Sequence, residues 1–156
     1  MTLETLLMHA NKIMLDLGIG HREVIYAKAL NVSLNKCQVP HRSEVDIPIM
    51  YMGQCIGHGR ADLIVDDLIV ECKAVSKTPK EAMGQLQKYV TNLTLVEKKK
   101  YNGVILNFCQ QSGLVSVYVY HNDSRLRLPT IKAPPVPPVK TEQFKKSRFF
   151  TRSKKT

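Results

Sequence analysis

The stretch Arg60-Ala-Asp-Leu-Ile-Val-Asp-Asp-Leu-Ile-Val-Glu-Cys-Lys73 constrains this chain more than any other. Two apolar runs flank Asp66-Asp67, a pattern that predicts two strands joined by a two-residue turn. In that register Val65 pairs with Leu68, Asp62 faces Glu71, and Arg60 faces Lys73. Directly opposed side chains on paired strands have Cβ atoms about 4.5–5.5 Å apart. Two carboxylates at that spacing, among apolar neighbours, repel each other. A divalent cation removes the conflict, because hard oxygen ligands suit Mg2+ or Mn2+. Glu71 and Lys73 are two apart and share a face, whereas Cys72 points to the other face and offers only its carbonyl. An ammonium group beside a metal-bound water suits phosphodiester hydrolysis. The same four charged residues also fit a solvent-facing charge ladder, and Asp-Asp in place of Asn-Gly leaves the register open by one residue.

The flanking sequence predicts a mixed α/β layer protein in the order ααβββαββ. Leu3, Leu6, Leu7, Ile13, Leu15 and Leu17 mark a first helix, stopped by Gly18 and Gly20. A second helix follows from about His21 to Leu34, with Val24, Ile25, Ala27, Ala29 and Leu30 as its apolar residues. Val45, Ile47 and Ile49 then alternate as a strand, and Pro48 within it calls for an edge position or a bulge. Met52-Gly53-Gln54 is a turn. Arg60 to Val65 and Leu68 to Val75 are the two strands of the hairpin. Thr78-Pro79 opens a third helix to about Leu95, with Thr78 as the cap. Its stripe is Ala82, Met83, Leu86, Val90 and Leu93. Gly103–Phe108 and Leu114–Tyr120 complete the strands. Two helix pairs add functional candidates: Glu23 with Tyr26, and Gln85 with Tyr89, each sharing a helix face.

Charge and proline divide the chain. At 156 residues it suits one domain. The net charge is +10, yet Lys132 to Thr156 holds eight basic residues against one acidic, so the tail carries seven of those charges. Five of the eight prolines lie between Pro129 and Pro138. The expected organisation is a domain over 1–128, an extended proline-rich linker over 129–139 and a basic, disordered tail over 140–156. Lys145, Lys146, Arg148, Arg152, Lys154 and Lys155 can neutralise phosphates while the nearby phenylalanines stack on bases. A solvated tail read as a localisation signal is the competing reading. Cys37, Cys55, Cys72 and Cys109 form no C-x-x-C and have no paired histidines, so free thiols are expected, without zinc or disulfides. The N-terminus has no signal-peptide pattern and no stretch reaches the length of a membrane span, which predicts an intracellular soluble protein. His21 and His58 lie near the candidate residues, where each fits a phosphate contact or a packing role.

Taken in order, Gly20-His-Arg-Glu23-Val-Ile-Tyr26, Gly57-His-Gly-Arg-Ala-Asp62, Ile69-Val-Glu71-Cys-Lys-Ala-Val75, Gln85-Leu-Gln-Lys-Tyr89 and Gly103-Val-Ile-Leu-Asn107-Phe108 resemble the GxxExxY protein family of the PD-(D/E)XK nuclease-like superfamily. That family occurs in bacteria and large DNA viruses. The resemblance covers about Leu3 to Phe108. It implies a restriction-endonuclease-like core, a mixed β-sheet flanked by helices. It also implies a metal-dependent nuclease acting on DNA, in repair or recombination. By position, Asp62 and Glu71 correspond to the metal ligands, joined by the Cys72 carbonyl and, through water, by Glu23. Lys73 corresponds to the lysine that positions the attacking water, and Gln85 to a helix residue that supports the site or touches phosphate. Tyr26 and Tyr89 correspond to supporting or packing residues. Arg60 and His58, beside this set, are candidates for nucleic-acid contacts. Ala61 stands where the superfamily has proline before the aspartate, and Cys72 stands between Glu71 and Lys73. Mg2+ or Mn2+ is the implied cofactor, and a homodimer suits enzymes that cut both strands.

Two other classes of function fit parts of the chain. A non-catalytic nucleic-acid-binding or packaging protein would act through the basic tail. A protein–protein adaptor would present the proline-rich segment to a partner.

Overall fold

The computed structural model describes residues 2–78 and 80–122. Its elements are α1 (Leu3–Leu17), α2 (Glu23–Lys36), β1 (Arg42–Tyr51), β2 (Gln54–Val65), β3 (Leu68–Lys73), α3 (Lys80–Glu97), β4 (Asn102–Phe108) and β5 (Val115–Tyr120). This is the order the sequence predicts. The expected domain end at 128, the linker and the tail, with Lys145, Lys146, Arg148, Arg152, Lys154 and Lys155, lie outside the described residues.

The five strands form one sheet in the order β1-β2-β3-β4-β5. Every neighbouring pair is antiparallel except β3 and β4, which are parallel. Parallel neighbours need a long crossover, and α3 supplies it. The helix lies on one face of the sheet, where Ala82, Leu86, Tyr89, Val90 and Leu93 pack with Ile47, Ala61, Ile64, Ile69, Tyr101 and Ile105. α1 and α2 cover the other face, with Leu6, Ala10, Ile13, Met14, Tyr26, Leu30 and Leu34 against Leu63, Val65, Val70, Cys72, Val104, Leu106 and Phe108. Strands buried on both faces read as continuous apolar runs, which is why Leu63-Ile-Val65 and Val104-Ile-Leu106 lack alternation.

Some details differ from the sequence reading. β2 starts at Gln54, six residues before Arg60, because Met52 and Gly53 (φ 47° and 79°) form a tight hairpin turn that keeps both strands paired to the tip. β3 ends at Lys73, two residues before Val75. Pro48 is on the edge strand, and the β1–β2 register shifts next to it, between Ile49 and Met50. In α1, Leu15 and Leu17 are exposed, and Ala10 and Met14 occupy the core instead. In α2, Val24 and Ile25 are exposed, and Tyr26, Leu30 and Leu34 are buried at helical spacing. The Thr78 hydroxyl is buried and finds no hydrogen-bond partner among the described residues, so the expected side-chain cap is not seen there. Among the described residues no helix is long and apolar enough to cross a membrane.

Candidate active site

The β2–β3 hairpin turns at Asp66-Asp67 with Val65 opposite Leu68, Ile64 opposite Ile69 and Leu63 opposite Val70. This is the register read from the apolar runs. The ladder stops there, one pair short of Asp62 and Glu71. The strands are joined instead through a side chain: Asp62 Oδ2 accepts the Cys72 N–H at 2.8 Å. Arg60 does not face Lys73; its backbone pairs with Asp46, and its guanidinium lies 3.8 Å from Glu44.

The reason is a slip in side-chain alternation. Val45 and Ala61, a cross-strand pair, face α3, whereas Leu63, only two residues on, enters the α1–α2 core. Residues two apart on a regular strand share a face. The change falls at Glu44 and Asp62, the pair missing from the register that otherwise runs unbroken from Arg42–Ile64 to Ile49–Gly57, and Glu44 has φ 50°. A non-glycine residue in this region is strained by about 1–3 kcal/mol and concentrates at functional sites. Here the slip lets Leu63 fill the core while its neighbour Asp62 lines a cleft against α2.

Glu71 and Lys73 continue β3 past the end of that pairing. Lys73 Nζ lies 3.6 Å from Glu71 Oε2 and 3.8 Å from Glu23 Oε1, in the first turn of α2. Glu23, Asp62, Glu71 and Lys73 are thus gathered where three elements meet. Glu71 is only 4% exposed. Burial, followed by the Asp62 charge, pushes its carboxyl up to about 7 against the pull of Lys73. Burial also raises Asp62, opposed by the Cys72 N–H and by Lys73. The Cys72 thiol is fully buried under the helices, so only its backbone is on offer, as its alternation on β3 predicts.

One atom tests whether a cation fits. Glu71 Oε1 is buried and has no hydrogen-bond partner among the described residues. An unpaired buried carboxylate oxygen is costly, and a hard cation relieves that cost. Among the described residues no three His, Cys, Asp or Glu side chains form a metal-holding group by themselves. Two carboxylates completed by backbone oxygen, water and substrate suit Mg2+, which keeps several waters and favours few protein ligands. The donor set therefore fits such an ion through Asp62 and Glu71.

Other candidates stand further out. Gln85 Nε2 donates to Tyr89 Oη at 2.6 Å, and that oxygen accepts the Arg60 N–H at 3.3 Å. The pair thus braces β2 two residues before Asp62; among the described residues Gln85 makes no hydrogen bond to the carboxylates. A side chain at Gly59 would overlap the Tyr89 ring, which explains the glycine. Tyr26 lies in the core, stacked on Phe108 at 4.4 Å, with its hydroxyl donating to the Gly18 carbonyl at 2.7 Å. It holds the α1–α2 elbow, not the cleft. His21 rests edge-on against Tyr26. His58 contacts Asp46 and Cys55.

Three residues to which the sequence reading gave no role also shape the site. Gln110 accepts the Gly20 N–H at 2.6 Å and donates to Tyr26 Oη at 3.2 Å, tying the approach to Glu23 onto the end of β4. Asn107, 1% exposed, bonds both the N–H and the carbonyl of Val75 at 3.1 Å and so fixes the chain just beyond Lys73. A polar residue inside the apolar run of β4 was the available signal. Glu44 joins Glu23, Lys28, Asn31, Arg60 and Asp62 around a cleft of about 470 Å3; nothing local in the sequence points to it.

Compared with known proteins, residues 2–117 match a family model described as the PD-(D/E)XK nuclease superfamily. No curated protein and no solved structure matches the chain.

Proposed function

The chain belongs to the PD-(D/E)XK nuclease superfamily, and from that premise we propose that it is a divalent-metal-dependent nuclease hydrolysing phosphodiester bonds of DNA. The observation that supports this best is the buried Glu71 Oε1, without a hydrogen-bond partner among the described residues, beside Asp62 and Lys73. Nucleases of this superfamily generally use divalent metals. In this reading Asp62 and Glu71 hold Mg2+ or Mn2+, with the Cys72 carbonyl as a further ligand and Glu23 acting through water. When bound, the ion supplies Lewis-acid stabilisation of charge developing on the phosphoryl oxygens.

The chain's own groups do the rest. Lys73, held between Glu71 and Glu23, donates hydrogen bonds that orient the attacking water and favour its hydroxide form. Arg60 and Lys28 line the cleft and offset the negative charge of an approaching phosphate backbone. Gln85 acts through Tyr89, which keeps β2 and hence Asp62 in place.

The test is cleavage of supercoiled, linear and single-stranded DNA, and of RNA, with Mg2+ or Mn2+. Asp62→Ala and Lys73→Ala should each lower the rate at least about 100-fold with the fold retained by circular dichroism, since each removes a group acting in the chemical step. Wild-type protein that cuts none of these substrates would sink the proposal.

A further inference from the structure

Cys55, His58 and Asp46 form a chain of side chains on the β1–β2 ribbon that phosphodiester hydrolysis does not use. Across the ribbon Asp46 pairs with Arg60 and Pro48 with His58, so Asp46 and His58 are diagonal neighbours on one face. Cys55 is three residues from His58, a spacing that puts side chains on opposite faces of a regular strand. The ribbon is not regular there. Ile49 pairs with Gly57 and Met50 with Cys55, which leaves Ile56 without a partner across the ribbon. That extra residue shifts the alternation by one and returns Cys55 to the face of His58.

The result is a directed arrangement. His58 Nδ1 lies 2.6 Å from Asp46 Oδ2, and His58 Nε2 lies 3.6 Å from Cys55 Sγ. The thiol also reaches the Gly57 carbonyl, at 3.3 Å. A carboxylate only accepts, so in the neutral ring the proton belongs on Nδ1, and Nε2 then turns its lone pair to the sulfur. This is the tautomer a base for a thiol requires, with an acidic group orienting the ring. Cys37 is also exposed but has no side chain hydrogen-bonded to its sulfur among the described residues, and Cys72 and Cys109 are buried.

We infer that Cys55 is a histidine-assisted reactive thiol, a modification site for low-molecular-weight disulfides. His58 Nε2 takes the thiol proton, and the Cys55 thiolate attacks one sulfur of the disulfide. The new S–S bond forms as the old one breaks. The second sulfur leaves as a thiolate and receives the proton from His58, so Cys55 is oxidised to a mixed disulfide and one small thiol is released. The site stands on the ribbon face that leads, through Arg60, to the cleft. It depends on the ribbon geometry alone and not on the nuclease reading.

Reduced full-length protein treated with glutathione disulfide, with each cysteine followed by peptide mass spectrometry, tests this. Cys55 should be thiolated about tenfold faster than Cys37 at neutral pH. His58→Gln should bring Cys55 down to the Cys37 rate, and Asp46→Asn should lower it part of the way, with Cys72 and Cys109 still unmodified as the sign of an intact fold. Equal rates at Cys55 and Cys37 in the wild type overturn the proposal. So does a Cys55 rate that neither substitution lowers.

Discussion

At the scale of single residues, Glu71 carries the clearest physical signature. Its carboxyl is held up to about 7 by burial and by Asp62, while in the unfolded chain it ionises near its ordinary value. Between those two pH values the folded state binds the extra proton. The stability of the metal-free protein therefore declines as pH rises from about 4.5 to about 7, by roughly 1–3 kcal/mol from this group. Urea unfolding in EDTA at pH 5 and pH 8 measures the slope. Glu71→Gln should flatten it and raise metal-free stability at pH 8. Adding Mg2+ at pH 8 should stabilise the wild type and leave Glu71→Gln unmoved. A wild-type slope over this range equal to that of Glu71→Gln, or more positive than it, would contradict the assignment, whatever other groups add to both.

Between elements, the site depends on braces that hold strand and helix ends. Gly59 lets the Tyr89 ring of α3 lie on β2, and the Tyr89 hydroxyl takes the Arg60 N–H. Gly59→Ala should cost about 1–3 kcal/mol through forced displacement of the ring. In a Tyr89→Ala background the same change should cost much less, because the clashing ring is gone; this coupling is the signature of direct contact. Equal costs in both backgrounds, by urea titration, would show that the close approach is absent. On the opposite side, Gln110 and Tyr26 fix the α1–α2 elbow at Gly18 and Gly20, whose φ values are 70° and 99°. That elbow sets where the first turn of α2 delivers Glu23 to Lys73. At the far end of the cleft-forming strands, Arg42 makes a bidentate pair with Glu97, with Tyr101 bonded to both, and so clamps β1 to α3.

For the whole molecule, charge is the relevant quantity. Seven of the ten net positive charges belong to residues from Lys132 onward, whereas the cleft mixes Glu23, Glu44 and Asp62 with Lys28 and Arg60. Affinity for a polyanion and chemistry on it are therefore expected to separate. Deleting Lys140–Thr156 should weaken DNA binding and shrink the slope of log affinity against log salt by several units, while cleavage at saturating DNA stays near the wild-type rate. Fluorescence anisotropy across a salt series gives the slope. An unchanged slope would return the tail to a localisation role. The complementary variant, Asp62→Ala, should bind with the same salt slope and not cut.

What the sequence determined by itself was local. Alternation, turn residues and helix spacing set the order of eight elements, and the two apolar runs around Asp66-Asp67 set the hairpin register, because each rule acts over a few neighbouring residues. The proline in β1 likewise called for an edge position or a bulge, and the strand is at the sheet edge with a register shift close by. Tertiary structure decided the rest. Whether Asp62 points to the cleft depends on the slip at Glu44, and whether Cys55 meets His58 depends on the unpaired Ile56. A one-residue irregularity reverses the face of every side chain beyond it, yet leaves almost no trace in composition. Lys73 meets Glu23 only because a helix fifty residues earlier in the chain is packed against the end of β3. No pattern along the chain can report a contact that exists only once the helices have closed over the sheet.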